Sequence, residues 1–242
     1  GKIICINGAT GEVLWENEKS GYSKDESIVF NYNGSPAIFE TEKIKIDNIK
    51  RPVNYGWGTY MGYSYKNMVS IYDRKGTVIK QFNNPVSNSY RGLNSLVTSN
   101  KVLVPTPDSL LIYENNKLSF VSTAISCTYK NWNDKVVTES RGVNSLIADK
   151  IFKYKNHENC VLLVSQGDRM VENKGFITIV SLDTKKVVAR LQLPHTTEFA
   201  PVIEDVNLDG KLDVLINCRD GYLYCFDLNV AAANNQKLAA TK

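Results

Sequence analysis

Between residues 205 and 213 the sequence reads Asp205-Val206-Asn207-Leu208-Asp209-Gly210-Lys211-Leu212-Asp213. Oxygen-bearing side chains stand at positions one, three, five and nine of this stretch. Gly210 at position six permits a sharp turn, and the carbonyl of Lys211 at position seven adds a further donor. Hard oxygen donors in this order suit Ca²⁺, and a donor set without His or Cys disfavours a transition metal. A bidentate Glu at position twelve is missing, because Ile216 and Asn217 fall there. Modest affinity, or water completing the shell, is the expected consequence. The competing reading is a loop whose carboxylates only make turn hydrogen bonds to their own backbone. Under either reading the loop braces the fold and catalyses nothing. Weaker echoes of it, at Asn31-Tyr32-Asn33-Gly34 and after Asp149, lack the carboxylate array.

A second group of residues suits recognition. Val53 to Tyr65 is rich in aromatics and glycine. Read as one strand, it places Tyr55, Trp57, Tyr63 and Tyr65 on one face and Gly56, Gly58 and Gly62 on the other. Exposed, the rings of Tyr55, Trp57, Tyr60 and Tyr63 would stack on sugars or meet an aromatic-rich protein surface. Packing between neighbouring sheets is the preferred reading, and a Gly-rich loop on one end of the fold is a third. Trp132, between Asn131 and Asn133, is a further contact candidate.

Enzymatic signals are thin. There are two histidines, His157 in a charged turn and His195 after Pro194. No G-x-S-x-G, H-E-x-x-H or P-loop motif occurs. Asp168, Arg169 and Glu172 share a predicted loop, but sequence spacing does not establish a catalytic carboxylate separation. Asn33-Gly34-Ser35 matches a glycosylation acceptor.

The elements that must position these residues are strands. The 242 residues are 43% hydrophobic and 22% charged, so a packed core is expected and wholesale disorder is excluded. Lys+Arg number 29 against 25 Asp+Glu, a net charge of +4 with no long run of one sign; neither a dedicated nucleic-acid binder nor membrane insertion is indicated. Cys5, Cys127, Cys160, Cys218 and Cys225 are scattered without metal spacing and read as small buried hydrophobes. A start at Gly1 without a leader reads as a processed or excised chain. Residues 230–242 are Ala-rich and read as a tail or linker with no functional role.

Alternating apolar runs of four to seven residues dominate, separated by Asn, Gly, Asp and Lys, and no segment has helical periodicity. One unit recurs: a hairpin at residues 2–15, 69–82, 110–121 and 177–191, with its first half at 223–228. Inner strands precede three of these, at 95–98 and 101–105, at 146–148 and 160–165, and at 201–206 and 213–217. Residues 42–56 and 122–144 fit no such strand and read as insertions or irregular loops. Hairpins recurring at roughly 40 to 70 residues point to an all-β chain, a β-propeller of about four to five four-stranded antiparallel blades over residues 1–229.

Two stretches resemble known repeats. Gly1 to Trp15, GKIICINGATGEVLW, resembles the quinoprotein-like (PQQ-like) propeller repeat, with its D/N-x-x-T-G turn and closing Trp. Ala200 to Leu228, built on DVNLDGKLD, resembles the FG-GAP/VCBS repeat. The resemblance implies a ring of seven or eight blades, an extracytoplasmic location (secreted, periplasmic or cell surface), and roles in adhesion or scaffolding. It also implies that Trp15 packs on the next blade. Quinone binding does not carry over, because the adjacent cysteines often found at quinone sites are absent, so no PQQ is expected. The N-terminal hairpin reads as the outer two strands of a blade, while the C-terminal blade has its inner three strands and lacks only the outermost, so the ends overlap by one strand. Either a small ring closes irregularly or, as preferred, the chain is one arc of a larger ring. The expected function is a non-catalytic binding or scaffold module for a protein or glycan, with a Ca²⁺ loop at Asp205, Asn207, Asp209, Lys211 and Asp213. The alternatives are a propeller domain of a carbohydrate-active or quinoprotein-like enzyme, and a structural component of a cell-envelope or surface assembly.

Overall fold

In a computed structural model the described residues are 2–18, 21–22, 27–55, 58–84, 94–106, 108–130, 135–141, 145–165, 175–228 and 240–241. They form strands and turns, all sheets are antiparallel, and no helix occurs among them. The chain divides into two compact units, Gly1–Ser89 and Tyr90–Lys242.

The first unit opens with a two-stranded sheet, β1 (Lys2–Ile6) and β2 (Val13–Glu18), in which Cys5 faces Trp15. The turn between them is closed by its own side chains: Asn7 Oδ1 accepts the Ala9 N–H at 2.9 Å, and Thr10 Oγ1 accepts the Glu12 N–H at 3.3 Å. That is why Asn and Thr stand there. A five-stranded sheet follows, built from β3 (Gly21–Tyr22), β4 (Ile28–Tyr32), β5 (Ser35–Tyr55), β6 (Gly58–Asp73) and β7 (Val78–Asn83). Its order is β3-β5-β6-β7, with β4 also paired to β5. Asn33 and Gly34 both take positive φ, 51° and 83°, the conformation that a two-residue hairpin turn needs. Ile28, Phe39 and Ile71 stand opposite one another across three strands and are buried on one face. Phe30 meets Phe39 edge-on, with ring centres 6.3 Å apart.

Residues 42–56 are therefore not an irregular loop. Through Tyr55 they belong to β5, which pairs with β6 as far as Tyr55 opposite Gly58. The Val53–Tyr65 stretch is likewise not one strand. It reverses between Tyr55 and Gly58, so the single-strand assignment of faces fails. Glycine-rich sequence flanked by aromatics marks a hairpin end here, where the periodicity of two restarts in the opposite direction.

The second unit contains three larger sheets and one small one. β8 (Leu96–Val97), β9 (Lys101–Pro105), β10 (Ser109–Glu114) and β11 (Lys117–Ser122) form a meander in sequential order. The turn between β10 and β11 is Asn115-Asn116, both at positive φ. β12 (Ile125–Lys130) and β13 (Val136–Arg141) pair as a separate hairpin, so this part of residues 122–144 is also regular. Next come β14 (Ser145–Ile147), β15 (Phe152–Tyr154), β16 (His157–Ser165), β17 (Phe176–Ser181) and β18 (Lys186–Gln192). Their order is β14-β16-β17-β18, with β15 also beside β16. The last sheet is a meander of β19 (Val202–Glu204), β20 (Asp213–Asn217), β21 (Leu223–Asp227) and β22 (Ala240–Thr241). Its fourth strand comes from the Ala-rich end of the chain.

β16 explains how these sheets hold together. Cys160, Leu162 and Val164 lie in one buried cluster with Ile203, Val214 and Ile216 of the last sheet. Val161 and Leu163, which point the other way, lie in a second cluster with Leu103, Leu110 and Ile112 of the β8–β11 sheet. A strand with both faces covered must be apolar at every position, and the uninterrupted Cys-Val-Leu-Leu-Val run is that requirement written in sequence.

Candidate functional site

The loop 205–212 joins β19 to β20 and is shaped by its own carboxylates. Asp205 accepts the N–H groups of Asp209 at 3.1 Å and Gly210 at 2.9 Å. Asn207 Oδ1 accepts the Asp209 N–H at 2.9 Å, and Asp209 Oδ1 accepts the Lys211 N–H at 2.9 Å. Asp213, buried at the start of β20, accepts the Val206 N–H at 3.1 Å and so ties the two ends of the loop. The turn runs through Gly210 at φ 81°, with open space where a Cβ would stand, and Leu208 at φ 60° with its side chain in solvent. Lys211 Nζ lies 3.6 Å from Asp209 and 3.8 Å from Asp227.

The donor set and the tight turn fit a hard cation. As placed, the carboxylates are turned onto backbone N–H groups. Among the described residues no three His, Cys, Asp or Glu side chains converge as a metal cluster.

Trp15 is placed by β2. Its indole N–H donates to the Arg74 carbonyl at 2.7 Å, in the turn between β6 and β7. Asn17 donates to the Gly76 carbonyl at 2.7 Å. Gly76 sits at φ 77°, and a Cβ there would lie 2.6 Å from the Trp15 ring. The two-stranded sheet is thus pinned to the neighbouring hairpin by one Trp, one Asn and one obligatory Gly.

Of the aromatic candidates, Tyr63 is placed with its side chain. It stands on β6 opposite Lys50, half-buried, with the Lys45 ammonium 3.3 Å from its ring centre. Tyr55 and Tyr60 lie on β5 and β6, but their side chains fall outside the described residues, as do Trp57 and Trp132 altogether. The same holds for Asp168, Arg169 and Glu172. His157 begins β16. His195 follows β18 and accepts the Thr196 N–H on Nδ1 at 3.0 Å.

One cluster escaped the sequence reading. Glu40 and Glu42, two residues apart on β5, share a face and are 0% and 1% exposed. Ser70 donates to Glu42 at 2.8 Å, Tyr72 donates to its other oxygen, and Ser27 donates to Glu40. Burial, and then the bond to Glu42, raise the Tyr72 hydroxyl well above its ordinary range. The available signal was the i, i+2 spacing of the two acids, but alternating polar residues in a strand read as a solvent face.

Burial pushes the thiols of Cys160 and Cys218 up to about 11, as expected of buried small hydrophobes. Cys5 on β1 and Cys225 on β21 are only half-buried. The Tyr154 hydroxyl is buried without a hydrogen-bond partner. Tyr154 also lines, with Ile177, Ile179 and Phe226, a cavity of about 30 Å³, room for a water and not for an organic ligand.

In comparisons with known proteins, the chain matches no family model and no curated sequence.

Proposed function

We propose that this chain is part of a β-propeller that serves as a non-catalytic recognition or scaffold module outside the cytoplasm, for adhesion or for holding a protein or glycan partner. The observation that supports this reading is the β14–β18 sheet, with one face against the β8–β11 meander and the other against the β19–β22 meander. Successive antiparallel meanders covering one another face to face are the packing of propeller blades. Such rings carry their loops and hairpins on two broad ends, where recognition is built. In this reading Asp205, Asn207, Asp209, Asp213 and the Lys211 carbonyl hold Ca²⁺. The ion supplies charge neutralisation and a cross-link between the ends of the loop.

The test is a structure of the chain in its native assembly, recovered through a tag. The expected result is a ring of stacked meanders with a neighbour burying more than about 1,000 Å². Sheets that splay apart without forming a ring, or a ring enclosing a substrate-filled catalytic cleft, would overturn the reading.

A further inference from the structure

Lys45 and Lys50 are five positions apart, an odd number, so in an unbroken strand their side chains would point to opposite faces. The arm formed by β5 and β6 changes that. Lys45 stands opposite Tyr65 and Lys50 opposite Tyr63, so residues 46–49 bulge opposite the single Ser64. Tyr63 and Tyr65 are two apart and share a face. Both lysines are therefore brought onto that face, with their ammonium groups 3.3 and 5.6 Å from the Tyr63 ring centre. Cations over a phenol ring are held by its electron-rich face while their remaining N–H donors stay available.

The bulge is fastened from within. Asp47 accepts the Ile49 N–H at 3.0 Å and takes the Arg51 guanidinium on both oxygens, at 2.9 and 2.5 Å. Arg51 also reaches the Ser64 hydroxyl at 3.3 Å. The bond from Arg51 holds the Asp47 carboxyl below its ordinary range, and Lys45 adds a smaller effect from further away. Among the described residues, neither Lys45 nor Lys50 has a carboxylate within ion-pair distance. Tyr65 and Met61, 40% and 61% exposed, extend the same face. Residues 43–66 carry five cations (Lys43, Lys45, Lys50, Arg51 and Lys66) and one acid (Asp47), a net +4 equal to the net charge of the whole chain.

We propose that this face of the arm binds an acidic polysaccharide, with carboxylate or sulfate groups on Lys45 and Lys50 and sugar rings against Tyr65 and Met61. The proposal rests on the recognition reading above and gives it a ligand class. Charge complementarity selects a polyanion. Strong nucleic-acid binding draws on about six to ten phosphate contacts, and an anionic lipid surface on about four to eight clustered basic residues, whereas by alternation Arg51 and Lys66 stand on the other face of the arm from Lys45 and Lys50. Two lysines flanked by a phenol ring and a thioether suit a polymer that alternates charge with flat apolar ring faces.

The test measures binding of the full chain to polygalacturonate and dextran sulfate by calorimetry. Uncharged dextran, poly-glutamate and a thymidine oligonucleotide serve as comparisons. An acidic glycan binds and dextran does not. The Lys45→Gln/Lys50→Gln double variant, which keeps both side-chain stems on the arm, weakens glycan binding by about tenfold or more. Asp47→Ala sharpens the point. Removing a negative charge should strengthen a purely electrostatic contact, whereas loss of the bulge's fastening weakens binding here. Unchanged affinity in the double lysine variant, or tighter binding by Asp47→Ala, overturns the site. Poly-glutamate or the oligonucleotide binding as tightly as the glycans overturns the ligand class. Absence of glycan binding by an intact ring removes this inference alone. Glycan binding by a chain that forms no ring leaves it standing while the propeller reading falls.

Discussion

Two strands, one in each unit, are buried on both faces and meet that demand in different ways. In β16 of the second unit every position from Cys160 to Val164 is apolar, and alternate residues enter separate cores. In β5 of the first unit Phe39 enters an apolar face, while Glu40 and Glu42 are buried on the other. The first arrangement gains from area alone, about 25 cal/mol per Å² of apolar surface removed from water. It makes no demand on the identity of any one neighbour. The second removes carboxylates from water, which is unfavourable unless donors are supplied in place. Its stability draws on donors such as Ser27, Ser70 and Tyr72. The same backbone architecture is thus tolerant in one sheet and exacting in the other.

The largest expected effect tests the two-sided core. Leu162→Ala and Leu163→Ala each empty a fully buried site, one in each cluster. Each should lower stability by about 2–5 kcal/mol, read as a shift of the urea midpoint. Because the neighbouring side chains point into separate cores, the double variant should be additive to within about 0.5 kcal/mol. A cost below about 1 kcal/mol for either variant, or strong coupling between the two, would mean that β16 does not divide two cores.

On the exacting side the probe is Tyr72→Phe. The ring remains, but one oxygen of Glu42 loses its donor, which should cost about 1–3 kcal/mol. The pH dependence has a definite sign. The folded pKa of Tyr72 lies above the ordinary value of 10.0, so its contribution is complete below about pH 10 and declines as pH rises further. Wild type should lose stability above pH 10 more steeply than Tyr72→Phe. Equal stability of the two proteins at pH 7 would show that the face bearing Glu42 is open to water, and the contrast between the sheets would vanish.

That contrast also marks what was readable in advance. The inner and outer strands around Leu110, Ile177 and Leu223 were legible because continuous apolar runs end in Asn, Asp and Gly at the turns. Asn115-Asn116 both take positive φ, as such a turn requires. The β5–β6 arm was not legible as a hairpin. Its alternation mixes Lys with Ile on one strand and Tyr with Gly on the other, and the bulge at 46–49 breaks the period. Which residues face one another depends on the partner strand, and one strand's sequence does not carry that. The calcium-type spacing at 205–213 was plain in sequence. That its carboxylates would turn onto the loop's own N–H groups was one of two readings. Glu40 and Glu42 were invisible for a simple reason: alternating polar residues look the same whether they face water or a hydroxyl.

The smallest expected effect concerns the second unit's own buried acid. Asp213 is satisfied by a backbone N–H, whereas Glu42 relies on side-chain hydroxyls. The loop around Asp213 is thus closed by its own hydrogen bonds, and in the proposed reading Ca²⁺ would add to a turn already formed. Without the metal, Asp209→Ala removes one exposed turn bond and should change stability by no more than about 0.5 kcal/mol. With Ca²⁺ at ten times its dissociation constant, wild type should gain about 1.4 kcal/mol and the variant nothing. Thermal unfolding with and without chelator reads both numbers. A wild type indifferent to Ca²⁺ would mean that Asp205, Asn207 and Asp209 serve the turn alone. A variant that unfolds early even in chelator would mean that this loop, like the Glu42 face, depends on one particular side chain.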